Sequence, residues 1–247
     1  MTNNRGKTES ECLGRAVEYF LQRDSMSSFI PNRVLSLMLN ARLNPDSSVF
    51  PDFICNKGFI EHFQVSSAYE NRKGSAHNKA LNDFEKAKNA DIEQRKTKFF
   101  SLPPRKDPEI GTYEVTIVNY EMESPESSYA NFVRSFKRNF EKHICSAKKY
   151  AGEKTLGIFL IEQVGAAVCV IKDREFKEFY RLSLDAELLK YIAPFSEYLT
   201  YIVFGHADRF EILDLQEIPK LLNDIHEGIV FSTGRCINTE FDFFIND

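Results

Sequence analysis

The chain reads as an α/β (α+β) protein, a mixed central β-sheet flanked by helices. Three observations carry that expectation. Two apolar runs of strand composition, 53–55 and 59–65, are separated by Asn56-Lys57-Gly58, the pattern of a β-hairpin. Two helical patterns precede the hairpin. A long helical pattern over 127–150 then leads into the continuous apolar run 156–161, as in a crossover that ends on a strand covered on both faces.

Taken in order, residues 1–9 are polar and are expected to form a disordered tail. From Ser10, placed to cap, Leu13, Val17, Phe20 and Leu21 recur at helical spacing, with Glu18 beside the apolar stripe. A second helix is predicted over 31–42, with Val34, Leu35, Met38 and Leu39 facing inward and the Asn44-Pro45-Asp46 turn beyond it. After the hairpin, 66–75 is a polar loop ending Arg72-Lys73-Gly74-Ser75. Residues 76–100 predict a long charged helix with a thin stripe at Ala80, Leu81, Phe84 and Ala87, and 101–111, with three prolines, a loop. A strand follows at 112–120. Phe132, Phe136, Phe140 and Ile144, repeating every four residues, form a stripe better suited to a core than to stacking nucleobases.

Strands at 155–161 and 167–171 extend the hairpin into a sheet of at least four strands, closing a core over 10–171. The segment 172–247 reads as an α/β extension on the same domain: helices over 184–192 and 218–225, and strands over 198–204 and 210–215. It is expected to add edge strands to the sheet or to make a homodimer contact. His206 reads as a loop histidine.

Composition narrows the class. The 247 residues carry a net charge of −4 and five scattered cysteines with no Cys-x-x-Cys pair, which predicts a cytoplasmic protein with reduced thiols and no structural zinc knot. No apolar run is long enough for a bilayer, and the polar start predicts no signal peptide. The charge is uneven. Residues 72–106 hold ten bases and four acids, 129–150 six bases and one acid, and 173–247 seven bases and fifteen acids. That division suits a polyanion approaching the front half of the molecule. There is no Ser-His-Asp set, Walker loop, Gly-x-Gly-x-x-Gly turn or paired Cys/His spacing.

The residues with the clearest chemistry are Asp52 and Glu61, one carboxylate on each strand of the hairpin. Alternation puts Glu61, Phe63 and Val65 on one face and Ile60, His62 and Gln64 on the other. Asp52 falls opposite 60–62, within reach of a cation held by Glu61, and two hard carboxylates suit Mg²⁺ or Mn²⁺. Alternatively, Asp52 caps a turn after Pro51 and Glu61 pairs with a lysine.

Pro51-Asp52 on one strand, then an apolar strand bearing Glu61 and followed by a helix, resembles the PD-(D/E)XK nuclease superfamily over roughly residues 10–165. The resemblance implies a restriction-endonuclease-like fold and Mg²⁺-dependent hydrolysis of phosphodiesters, with Asp52 and Glu61 as metal ligands and Glu18 as an additional acid from the first helix. Phe63 stands where that family has lysine. Lys73, or Gln64 turned by a bulge, is the expected substitute for orienting the water. Arg72, Lys73, Lys79, Arg134, Lys137 and Arg138 are then the expected contacts to nucleic acid. Two other readings stay open: a catalytically inactive nuclease-like module that binds nucleic acid or a protein, and an interaction protein that presents its acidic C-terminal third.

Overall fold

The computed structural model describes residues 7–24, 32–46, 49–68, 116–122, 127–165, 167–172, 175–225, 229–233 and 235–241, together with scattered positions in 79–97. Its centre is a six-stranded mixed sheet. The strands are β1 (Arg42–Leu43), β2 (Phe53–Cys55), β3 (Gly58–Ser66), β5 (Leu156–Val164), β8 (Tyr201–His206) and β9 (Arg209–Asp214), in that spatial order. The three inner strands β3, β5 and β8 are parallel, and antiparallel β2 and β9 flank them.

Period-two alternation divides the core into two layers. Phe59, Phe63 and Val65 of β3, with Phe159 and Ile161 of β5, face helix α3 (Tyr129–Lys149), α4 (Ala186–Ile192) and α5 (Ile218–Asp224). Ile60, with Leu156, Ile158 and Leu160, faces α1 (Lys7–Asp24) and α2 (Asn32–Leu39). α3 forms where the four-residue phenylalanine repeat predicts, and Ser128 caps it by accepting from the Asn131 backbone N–H at 3.1 Å. Phe132, Phe136 and Phe140 are fully buried. α4 is capped by Asp185, which is wholly buried and accepts from the Leu188 N–H and from the hydroxyls of Tyr129 and Tyr180. The hairpin turns on Asn56 and Lys57, and Lys57 adopts φ 72°. A Cβ at Gly58 would run into the Leu156 carbonyl oxygen, so the close approach of β3 and β5 requires a glycine there.

Several expectations change. α1 already begins at Lys7, so Ser10 lies within it rather than capping it. The segment expected near 167–171 becomes β6 (Val168–Lys172). It leaves the main sheet to join β7 (Glu175–Phe179) and β10 (Val230–Thr233) in a separate three-stranded sheet. Among the described residues, β4 (Thr116–Met122) pairs only with β11 (Arg235–Phe241). The strand predicted over 198–204 is not an edge: as β8 it lies between β5 and β9. His206 ends that strand instead of sitting in a loop. The described residues of 79–97 are helical and largely exposed. Among the described residues, no helix is long and apolar enough to cross a membrane.

Candidate active site

The hairpin register sets Asp52 directly across from Glu61. The pairs Cys55–Gly58, Ile54–Phe59 and Phe53–Ile60 lead to it one step beyond the end of β2. The next backbone rung after Phe53 and Ile60 would fall to Pro51. Its carbonyl instead accepts from the Asn44 side chain at 2.8 Å. The Asp52 carboxylate takes over the vacated partner: its Oδ2 accepts the His62 backbone N–H at 2.8 Å. In return the Asp52 N–H donates to Glu61 Oε2 at 3.0 Å. Two carboxylates are thus locked together by reciprocal bonds, each acid accepting an amide of the other's strand.

The other oxygen of Glu61 meets α3. His143 Nδ1 lies 2.6 Å from Glu61 Oε1, and the imidazole stacks on Phe63 with ring centroids 4.5 Å apart and planes 9° from parallel. Glu61 is buried, and Asp52 and His143 are partly so. Burial, then the negative charge of Glu61, pushes the Asp52 carboxyl up to about 6, against the lowering effect of the His62 N–H. Glu9 of α1 adds to the rise. A carboxyl pair with that tension is relieved either by a proton or by a cation.

The opposite face of β3 carries a second polar cluster. Glu162 of β5 pairs in register with Gln64 and Gly205. Its Oε1 accepts from Arg15 Nη2 of α1, and its Oε2 accepts from Gln64 Nε2 at 2.8 Å and lies 3.4 Å from His62 Nε2. Burial would raise the Glu162 carboxyl, but the adjacent His62 ring, the bonds from Gln64 and Arg15, and the Arg15 charge outweigh it and hold it at about 2. Cys12 of α1 completes the group: its sulfur, a His62 nitrogen and a Glu162 oxygen all lie within 4.8 Å of one another.

Of the residues expected from sequence, Asp52 and Glu61 are brought together. Gln64 is not with them: β3 carries no bulge at that point, so Gln64 stays on the far face, bonded to Glu162. Glu18 is exposed and accepts from Gln22, and it is Glu9, more than two turns earlier, whose charge reaches Asp52. Arg72 and Lys73 lie outside the described residues, and Lys79 is exposed on its helix. On α3, Arg138, Lys142 and Lys149 are exposed and, by helical phase, share the outer face that points away from the phenylalanine stripe. Arg134 projects outward and bonds Asn131. Lys137 lies on the flank of α3 opposite His143, donates to Glu187 at 2.7 Å and lies over the Tyr191 ring, so it does not face the acid pair. Sequence reasoning missed His143, Glu162 and Arg15, because their partners lie 82 and 147 residues away. No protein-family model, no curated protein and no solved structure matches the chain.

Proposed function

We propose that the chain is a metal-dependent phosphodiesterase acting on nucleic acid, with Asp52 and Glu61 as ligands of Mg²⁺ or Mn²⁺. One observation carries the reading: two acids facing each other across the hairpin are locked together, with the Asp52 carboxyl pushed up to about 6 by burial and by its neighbour's charge. The donor set is hard oxygen only, which fits those ions. Held by Asp52 and Glu61, such an ion would supply polarisation of a scissile phosphate and a more acidic attacking water.

The chain's own residues supply the rest. Glu61 orients His143: with the Nδ1 proton donated to Oε1, the other ring nitrogen is the basic one and accepts a proton from water. His143 thereby takes the part that the resemblance assigns to a lysine, since Phe63 at that place packs flat beneath the imidazole. Arg138, Lys142 and Lys149, on the exposed outer face of α3, supply positive charge that draws a phosphate backbone to this side of the molecule. The Phe63–His143 stack also favours a second reading, a nuclease-like module that binds nucleic acid without cleaving it.

Cleavage of labelled DNA and RNA oligonucleotides with Mg²⁺ or Mn²⁺ decides between them. The expected result is metal-dependent cleavage that is lost in Glu61→Ala and depressed on the order of 10²-fold in His143→Ala, with circular dichroism unchanged. Salt-sensitive binding without cleavage under both metals would overturn the catalytic reading and leave the binding module.

A further inference from the structure

The second cluster is not used by the proposed reaction, and its composition differs in kind from the acid pair. We propose that Cys12, His62 and Glu162 form a separate binding site for a transition metal of the Zn²⁺ class, with solvent as the fourth ligand.

Three observations carry this. The residue types are a thiolate, an imidazole and a carboxylate, which together select Zn²⁺ over Mg²⁺ or Ca²⁺. Second, all three are buried, and the His62 side chain is only 4% exposed while its Nε2 makes no hydrogen bond. A buried ring nitrogen left that way is costly. That nitrogen is aimed at the group and stands 3.4 Å from Glu162 Oε2, a separation long for a hydrogen bond. It suits the edge of a zinc tetrahedron: bonds of about 2.0–2.1 Å to nitrogen and oxygen place the two ligand atoms roughly 3.3–3.4 Å apart.

Third, the carboxylate is already oriented as a metal-bound one would be. Arg15 holds Oε1 and Gln64 donates to Oε2, which fixes the carboxylate beside His62. Outer groups of this kind fix ligand geometry in metalloproteins. Arg15 reaches solvent, with its side chain 38% exposed, so its charge is screened where the ion's is not.

Metal entry requires the Cys12 thiol to lose its proton. Burial, followed by the charge of Glu162, pushes that thiol up to about 12, so the metal-free group is S–H at neutral pH. On binding, the S–H bond breaks, the sulfur electron pair forms the bond to the metal, and one proton passes to solvent. Affinity therefore rises with pH.

The test uses the full chain, stripped with chelator and titrated with Co²⁺ alone. The expected result is one equivalent bound with the visible bands of a tetrahedral ion and a thiolate-to-cobalt charge-transfer band, apart from any Co²⁺ taken up by the oxygen-only pair, which gives no thiolate band. Zn²⁺ should displace the ion and bleach both. Cys12→Ser should abolish the charge-transfer band, while Cys145→Ser, an exposed thiol, and Asp52→Asn, at the oxygen-only pair, should keep it. Absence of the band in the folded wild-type chain overturns the site, as does its survival in Cys12→Ser. Should Cys12→Ser fail to fold, Gln64→Ala serves. It should keep the band and weaken binding by about 10- to 100-fold, and unchanged affinity would overturn the proposal.

Discussion

The two faces of β3 solve the same difficulty in opposite ways. On one side Glu61 meets a second acid; on the other, one residue along, His62 and Gln64 meet Glu162 and, through it, Arg15. Burial and a like charge leave Asp52 well above its usual range, whereas the adjacent His62 ring, the Gln64 amide and a guanidinium leave Glu162 well below. The acid pair is therefore a site under electrostatic tension, and the Glu162 carboxylate is well compensated, although His62 Nε2 and Arg15 Nε beside it have no hydrogen-bond partner. Buried charge without compensation marks places where a ligand gains most, and buried charge with compensation marks places where removal costs most.

The largest effect follows directly. Glu162→Ala leaves Arg15 without its carboxylate and Gln64 without its acceptor. It is expected to cost about 3 kcal/mol, the lower end for a broken buried pair because Arg15 can turn to solvent. Glu61→Ala removes a repulsion as well as two bonds and is expected to cost under about 1.5 kcal/mol. Urea denaturation of both variants checks the pair. Equal losses would erase the contrast between the faces.

Next in size is Gly58→Ala, which acts on both faces at once. Its methyl group meets the Leu156 carbonyl, so β3 and β5 must part, at an expected cost of about 2 kcal/mol or more. Mn²⁺ and Co²⁺ binding should weaken together in this variant, because β3 carries Glu61 and His62 side by side, and isothermal titration of each ion measures it.

The pH dependence separates the faces most cleanly. Asp52 has a folded pKa of about 6, above its unfolded value, so the fold binds its proton more tightly than the open chain does. Its contribution is present at low pH and is lost as pH rises from the unfolded carboxylate range through about 6. Glu162 runs the other way: its contribution is present above the unfolded range and is lost as pH falls toward about 2. Asp52→Asn should therefore flatten the loss of stability between about pH 4 and 6, and Glu162→Gln should flatten the loss on acidification below about 4. Thermal melts across pH 2–8 read both slopes. In the wild type, Mn²⁺ should restore stability above pH 6 and have no such effect on Asp52→Asn.

Much of this contrast was legible in the chain. Alternation along 60–65 assigns Glu61 and Gln64 to opposite faces before any coordinates exist, and the hairpin length brings Asp52 across from Glu61. The phenylalanine repeat fixes α3 and its buried side. What could not be read is which distant residue arrives at each face. Nothing local in 139–147 shows that His143 lands on Glu61, because its position depends on how α3 crosses β3. Arg15 in α1 reads as a solvated helix charge until β5 places Glu162 beneath it. Sheet membership was also hidden. The run 168–171 is as apolar as an inner strand, yet it pairs with β7 and β10, because a short antiparallel connection competes well with another crossover.

The smallest effect tests how α3 divides its cations. Lys137 and Arg138 are neighbours in sequence but differ in surroundings, one tied to Glu187 and Tyr191, the other exposed on the outer face of the helix. A lysine in an exposed ion pair contributes about 0.2–1 kcal/mol, so Lys137→Ala should lower stability by that amount at most. It should leave the salt dependence of oligonucleotide binding unchanged. Arg138→Ala should do the reverse: stability stays level while the slope of log affinity against log salt becomes shallower by about 0.9 on double-stranded DNA, or 0.7 on a single strand, one phosphate contact fewer. If both variants moved the slope alike, the polyanion would be reading the net charge of α3 and not its exposed outer face, and the bond to Glu187 would not be withholding Lys137 from it.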